Sequence, residues 1–115
     1  MPRATPLGLR KYNIDQTILK ELSDLESRTI LFSIVNQSKL PSQISYENKI
    51  PLSTVYKKLM TLKYLGLIRV EKIELINRQK SKFYKSNIRE AEICIKKFEP
   101  IVYLTQNNLI EENDD

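Results

Sequence analysis

Residues 50–68 read IPLSTVYKKLMTLKYLGLI. Val55, Leu59, Leu62 and Leu65 recur at helical spacing, Pro51 suits a first helical turn, and Gly66 supplies the stop. Just upstream, Pro41 opens a shorter helix with Ile44 as its buried residue, ending near Asn48, a residue type that tolerates the left-handed backbone of a tight turn. Two helices joined by a turn of about three or four residues make a helix-turn-helix.

Working towards the N-terminus, Ser23 and Glu26 have the spacing of a capping box. The helix it opens carries Ile30, Leu31, Ile34 and Val35 on one stripe and should end near Gln37. Before it, Asn13 can cap a helix over residues 14–22 whose Ile14, Ile18, Leu19 and Leu22 share a face. Residues 1–12, with Pro2, Pro6 and Gly8, have no periodicity and read as a flexible basic arm.

Beyond Gly66 the period changes. Residues 67–76 are rich in β-branched side chains and partly alternate, with a slip between Val70 and Ile73 that predicts a bulge. A polar turn at residues 77–80 and a return strand at 81–85 complete a basic hairpin. A hairpin placed after a helix-turn-helix is a wing, so residues 13–87 read as one winged helix-turn-helix domain, mainly α with a small β-hairpin. Residues 88–110 are expected to be helical, capped by Asn87 with Glu90. Ile88, Ala91, Ile95, Phe98 and Val102 fall three, four, three and four apart, the spacing of a coiled-coil seam, and are the expected dimerisation residues. The same stripe could instead fold back on the domain's own core. Pro100 bends that helix or divides it in two. Residues 111–115 form an acidic tail.

Composition removes whole classes of chemistry. At 115 residues the chain fits one domain. It has no His and a single cysteine, Cys94, so an intrachain disulfide, a structural zinc site and His-assisted nucleophilic catalysis all lack their groups. Neither glycine-rich phosphate-loop pattern is present. The sequence thus predicts no enzyme activity, no cofactor and no metal. It shows no secretory leader and no apolar run long enough to cross a bilayer, so a cytoplasmic protein with no membrane partner is expected.

The net charge of +5 is unevenly spread. Residues 49–89 hold eleven Lys and Arg against Glu71 and Glu74, a local charge of +9 that leaves −4 for the rest. A polyanion partner is expected for that third of the chain. If Val55, Leu59 and Leu62 face inward, the helix over 51–65 turns Leu52, Ser53, Tyr56 and Lys57 outward, with Thr54, Lys58 and Thr61 on its flanks. Small hydroxyl side chains allow close approach to the floor of a major groove, and cations hold the phosphates. In the hairpin, Arg78, Lys80, Lys82 and Lys85 cluster with no acid among them, as suits a wing at residues 77–82 lying on the DNA backbone or in a minor groove.

The block at residues 50–68, with Gln43-Ile44-Ser45 before it and residues 78–84 after it, resembles prokaryotic winged-helix regulators. It is most similar to the archaeal TrmB and ArsR-like group. The resemblance spans roughly residues 24–88. It implies base and backbone contacts from Ser53, Thr54, Tyr56, Lys57 and Lys58, and phosphate contacts from Arg78, Lys80 and Lys82. Lys49 stands where these families frequently have Gly, and no cysteine pair or histidine cluster supports carrying over a metal response.

The function expected is sequence-specific binding of double-stranded DNA by a homodimeric transcriptional regulator, its effector unknown. The alternative is a winged helix that docks proteins in a transcription or replication assembly. That alternative calls for exposed apolar or acidic residues on the recognition face, where only Leu52 stands out.

Overall fold

The computed structural model describes residues 11–107, with side chains from Asp15 onward. The expected arm at 1–12 falls mostly, and the acidic tail at 111–115 wholly, outside the described residues. The architecture is α+β: four helices followed by two antiparallel hairpins, compatible with a winged-helix-like fold.

Helix α1 spans Lys11–Ser23 and α2 Leu25–Ser33. Helix α1 begins earlier than the sequence suggested, and Asn13 lies inside it. The cap of α2 sits one residue later than expected. Asp24, not Ser23, accepts the Ser27 N–H at 2.9 Å, while the Ser23 hydroxyl donates back to the Leu19 carbonyl at 2.7 Å. A serine that bonds back along its own helix is unavailable to start the next. Helix α2 also stops short of Gln37, with Ile34 as its C-cap.

Helix α3, Pro41–Asn48, and helix α4, Leu52–Tyr64, form the expected helix-turn-helix. The left-handed residue in the turn is Lys49 rather than Asn48, with φ 55°. The turn is tied by Ser45, whose hydroxyl donates to the Ile50 carbonyl at 2.6 Å and whose carbonyl accepts the Ile50 N–H at 3.2 Å. Gly66, at φ 79°, ends the α4 segment where the sequence placed the stop.

Strands β1, Ile68–Ile76, and β2, Gln79–Ser86, form the hairpin at the place where the sequence reading expects a wing, hereafter the wing. Pairing skips a residue between Val70 and Lys72, inside the interval where the alternation slips. Asn77 and Arg78, both at positive φ, make a two-residue turn whose hand matches the strand twist. At the base of the wing, Lys39 and Tyr84 exchange backbone hydrogen bonds of 3.0 and 2.9 Å.

The C-terminal helix is not formed. Residues 88–106 make a second hairpin, β3 Ile88–Lys96 and β4 Glu99–Gln106, turning at Lys97 with φ 60°. The five residues expected to form a helical seam are therefore spread over two strands and their turn. Ile88 and Val102 are buried in the common core, Ala91 packs against it, and Ile95 and Phe98 are exposed. The physical reason is local. This segment is rich in β-branched residues and carries Pro100, which has no N–H for a helical bond but sits second in β4, opposite Ile95.

One core joins these parts. Ile18 and Leu22 of α1, Ile30 and Leu31 of α2, Ile44 of α3, Val55, Leu59 and Leu62 of α4, and Ile88 and Val102 of the second hairpin form a single cluster. Asn87 holds the two hairpins together: its Oδ1 accepts from Arg69 at 2.6 Å, and its Nδ2 donates to the Gly66 carbonyl at 2.9 Å. Beside it Asn107, whose backbone N–H donates to the Asn87 carbonyl at 2.8 Å, donates its Nδ2 to the Val35 and Ser86 carbonyls.

Candidate nucleic-acid interface

Helix α4 buries Val55, Leu59 and Leu62 and turns the opposite side to solvent, as its apolar spacing requires. Ser53, Tyr56 and Lys57 are exposed on that side. Thr54 is half-buried, and so is Thr61, whose hydroxyl donates to the Lys57 carbonyl at 3.4 Å. Lys58 is not a free outward cation. Its Nζ lies 3.0 Å from Asp24 Oδ2, which ties α4 to the cap of α2.

The outward face also extends further than the sequence reading. Met60 and Tyr64, 74% and 87% exposed, continue it towards the C-terminus of α4, and Tyr46 of α3 is 85% exposed. These positions were legible as the complement of the buried stripe, but their apolar or aromatic character concealed them. Leu52, at the start of α4, is 42% exposed.

The pleat of the wing decides which of its cations look towards α4. Alternate residues of a strand share a face, so Lys80, Lys82 and Tyr84 of β2 lie together, on the side of Leu75, Ile73 and Val70, their partners in β1. This face and α4 bound an open groove of about 540 Å³. Its lining includes Lys80, Lys82 and Tyr84 from the wing, Tyr56 from α4, and Pro41 and Ser42 from the first turn of α3. The dipole of α3 gives that turn a partial positive charge. Burial raises the Tyr84 phenol above its ordinary pKa, and neighbouring Tyr56 adds to the effect. The Tyr84 phenol therefore stays neutral and serves as a hydrogen-bonding group at the groove wall.

The remaining cations separate into two sets. Lys85, expected among the cluster at the wing turn, is 1% exposed at the wing base, with its Nζ 3.7 Å from Glu71. Arg69 also meets Glu71, at 3.6 Å, and Lys72 meets Glu74 at 3.3 Å while lying 4.7 Å from the Phe83 ring centre. By contrast Lys57, Arg78, Lys80 and Lys82 are exposed and have no carboxylate partner among the described residues. Exposed cations without a carboxylate partner among the described residues thus stand on the exposed face of α4 and the outer half of the wing, while others, among them Lys49, Arg89, Lys96 and Lys97, lie elsewhere.

Among the described residues there is no group of His, Cys, Asp and Glu that could hold a metal, and no helix is long and apolar enough to cross a membrane. No family model matches the chain, and no curated protein matches it at significant similarity.

Proposed function

We propose that the chain is a sequence-specific double-stranded DNA-binding regulator of transcription, with α4 entering the major groove and the wing lying on the adjacent backbone or minor groove. The observation that carries this reading is the shared groove. Lys80 and Lys82 project from one face of β2 across a cleft whose opposite wall holds Tyr56 of α4. A phosphate strand passing along that cleft meets cations from the wing, hydroxyls from Tyr56, Tyr84 and Ser42, and the positive end of α3. Ser53, Thr54, Tyr56 and Lys57 then stand at the N-terminal half of α4, where a recognition helix reads base edges. Arg78 at the wing tip reaches the phosphates or minor groove beyond.

The test is selection of duplex DNA from a random pool, followed by salt-dependent fluorescence anisotropy on wild type and a Tyr56→Ala, Lys57→Ala variant. The expected result is enrichment of one sequence bound about a thousandfold tighter than random duplex, with that preference lost in the variant. Absence of enrichment, with the variant binding like wild type, would overturn it.

A second reading has its own observation. Leu52, Met60 and Tyr64 give α4 an exposed apolar and aromatic component, which suits protein docking in a transcription or replication assembly. A Met60→Lys, Tyr64→Lys variant that binds DNA like wild type argues for the DNA reading. Such a variant losing a protein partner while DNA selection fails argues for the docking reading.

A further inference from the structure

The second hairpin leaves one long strand with an open edge. Helix α1 packs on β4, and β3 pairs with β4 alone. The Val102 N–H donates to Asp15 Oδ2 of α1 at 3.1 Å, so it points away from β3. In an antiparallel ladder the residue opposite, Ile93, then turns its own N–H and C=O away from β4. Alternate residues Ala91, Ile93 and Ile95 thus offer backbone groups along the outer edge, and among the described residues no other strand takes them.

Arg89, Glu90, Glu92 and Lys96 put charges of both signs on this edge, but its central stretch carries no proline and no bulge. Its ladder with β4 is regular from Glu90 to Lys96, and the only register shift lies at its beginning. Strand β1, an edge of the first hairpin, is interrupted by a bulge between Val70 and Lys72. Ile93 and Ile95 are 45% and 61% exposed on the same face of β3, and Phe98 at the hairpin turn is 79% exposed. On the opposite face, Glu92 and Lys96 flank Cys94 symmetrically, two residues to either side.

We propose that β3 pairs antiparallel with β3 of a second copy of this chain, about a two-fold axis through Cys94, making a continuous four-stranded sheet. In that register Ile93 faces Ile95 of the partner subunit twice over, and Glu92 faces Lys96 of the partner subunit twice over. The outward backbone groups of Ile93 and Ile95 then fall in hydrogen-bonded pairs, while Cys94 and the partner's Cys94 meet in a non-hydrogen-bonded pair. Shifting the axis to Ile93 loses this match, because Glu92 then faces the partner's Cys94. Self-complementary charge and apolar patterns select the second copy as occupant. This association does not need DNA, so its failure leaves the groove between α4 and the wing untouched.

The test is sedimentation equilibrium of the full chain under reducing conditions, with diamide cross-linking as a register probe. Wild type is expected to dimerise at micromolar concentration and to form a reducible Cys94-linked dimer. An Ile93→Lys, Ile95→Lys variant should be monomeric and uncross-linked, with an unchanged helical circular dichroism spectrum. Glu92→Lys alone should weaken the dimer about tenfold, since it places like charges opposite each other at two sites, and adding Lys96→Glu should restore it. A wild-type monomer at 100-fold higher concentration, or a dimer that survives the double lysine variant, would overturn the proposal, as would a charge swap that fails to restore association.

Discussion

Lys58 Nζ and Asp24 Oδ2 lie 3.0 Å apart, and the same carboxylate oxygen accepts the Ser27 N–H at 2.9 Å. One carboxylate therefore caps α2 and anchors a lysine of the proposed recognition helix. Its neighbour Lys57 has no such partner among the described residues. If α4 reads DNA, the two lysines should behave differently. Lys57→Ala should weaken binding to all duplexes and make the salt slope shallower by about 1, while Lys58→Ala leaves that slope unchanged. Anisotropy titrations at several salt concentrations separate the two.

Asp24 also makes a pH prediction. Its hydrogen bond from the Ser27 backbone, and then its bond to Lys58, hold the carboxyl down from 3.8 to about 2. A carboxylate with a depressed folded-state pKa contributes stability that is fully present above the unfolded value and is lost as pH falls through the folded one. Asp24→Asn keeps a side-chain cap but removes the charge. Urea midpoints of wild type and variant should differ by a constant amount above about pH 4 and converge as the pH falls towards 2. A difference that persists unchanged at the acid end would show that the charge is not what stabilises this corner.

Four described non-glycine residues in tight turns, Lys49, Asn77, Arg78 and Lys97, sit at φ 55°, 53°, 68° and 60°. An L-residue with a side chain is strained there, and glycine is not. Lys49→Gly and Arg78→Gly should each stabilise the fold by about 0.5–1 kcal/mol, read as a rise in melting temperature. Arg78→Gly has a second expected effect of opposite sign on function, because it turns Asn77-Arg78 into the favoured Asn-Gly hairpin turn while removing a wing cation. The variant should melt higher and bind DNA more weakly. If it binds as tightly as wild type, the wing tip does not touch the backbone.

Much of the architecture was written in the residues of the first two-thirds of the chain. Pro41, Pro51 and Gly66 mark helix limits, and the slip after Val70 marks the bulge, because each acts through local backbone geometry. Residues 88–102 misled for a physical reason. Ile88 to Ala91 spans the register shift at the start of β3, and Ile95 to Phe98 rounds the hairpin turn, so both three-residue steps are irregularities of a strand pair. The four-residue step from Ala91 to Ile95 keeps one face of a strand as well as one face of a helix. Pro100, read there as a bend or break in a helix, and the β-branched content both suit the strands that form, while the Asn87–Glu90 pattern suits a helix start. On the candidate interface, exposure of Ser53, Tyr56 and Lys57 followed from the helix period. The capture of Lys58 by Asp24 and the burial of Lys85 depend on how distant segments pack, which spacing along one element does not encode.

The join between α1 and the second hairpin rests on a buried polar contact that can be tested directly. Asp15 is fully buried, its Oδ2 accepts the Val102 N–H, and its Oδ1 has no hydrogen-bond partner among the described residues. Val102 itself belongs to the core cluster, so its amide has no route to solvent in the folded state. Removing the acceptor in Asp15→Ala leaves that amide unpaired and should cost about 1–3 kcal/mol. Asp15→Asn keeps an oxygen for the same N–H, so it should lose less stability than Asp15→Ala. Because Ile88 and Val102 share one core with α2 and α4, the loss in Asp15→Ala should appear as a single cooperative transition shifted to lower urea, not as a separate early melting of the hairpin. An early, independent loss of strand signal would instead mean that the second hairpin is a separate cooperative unit held to the helices by this one bond.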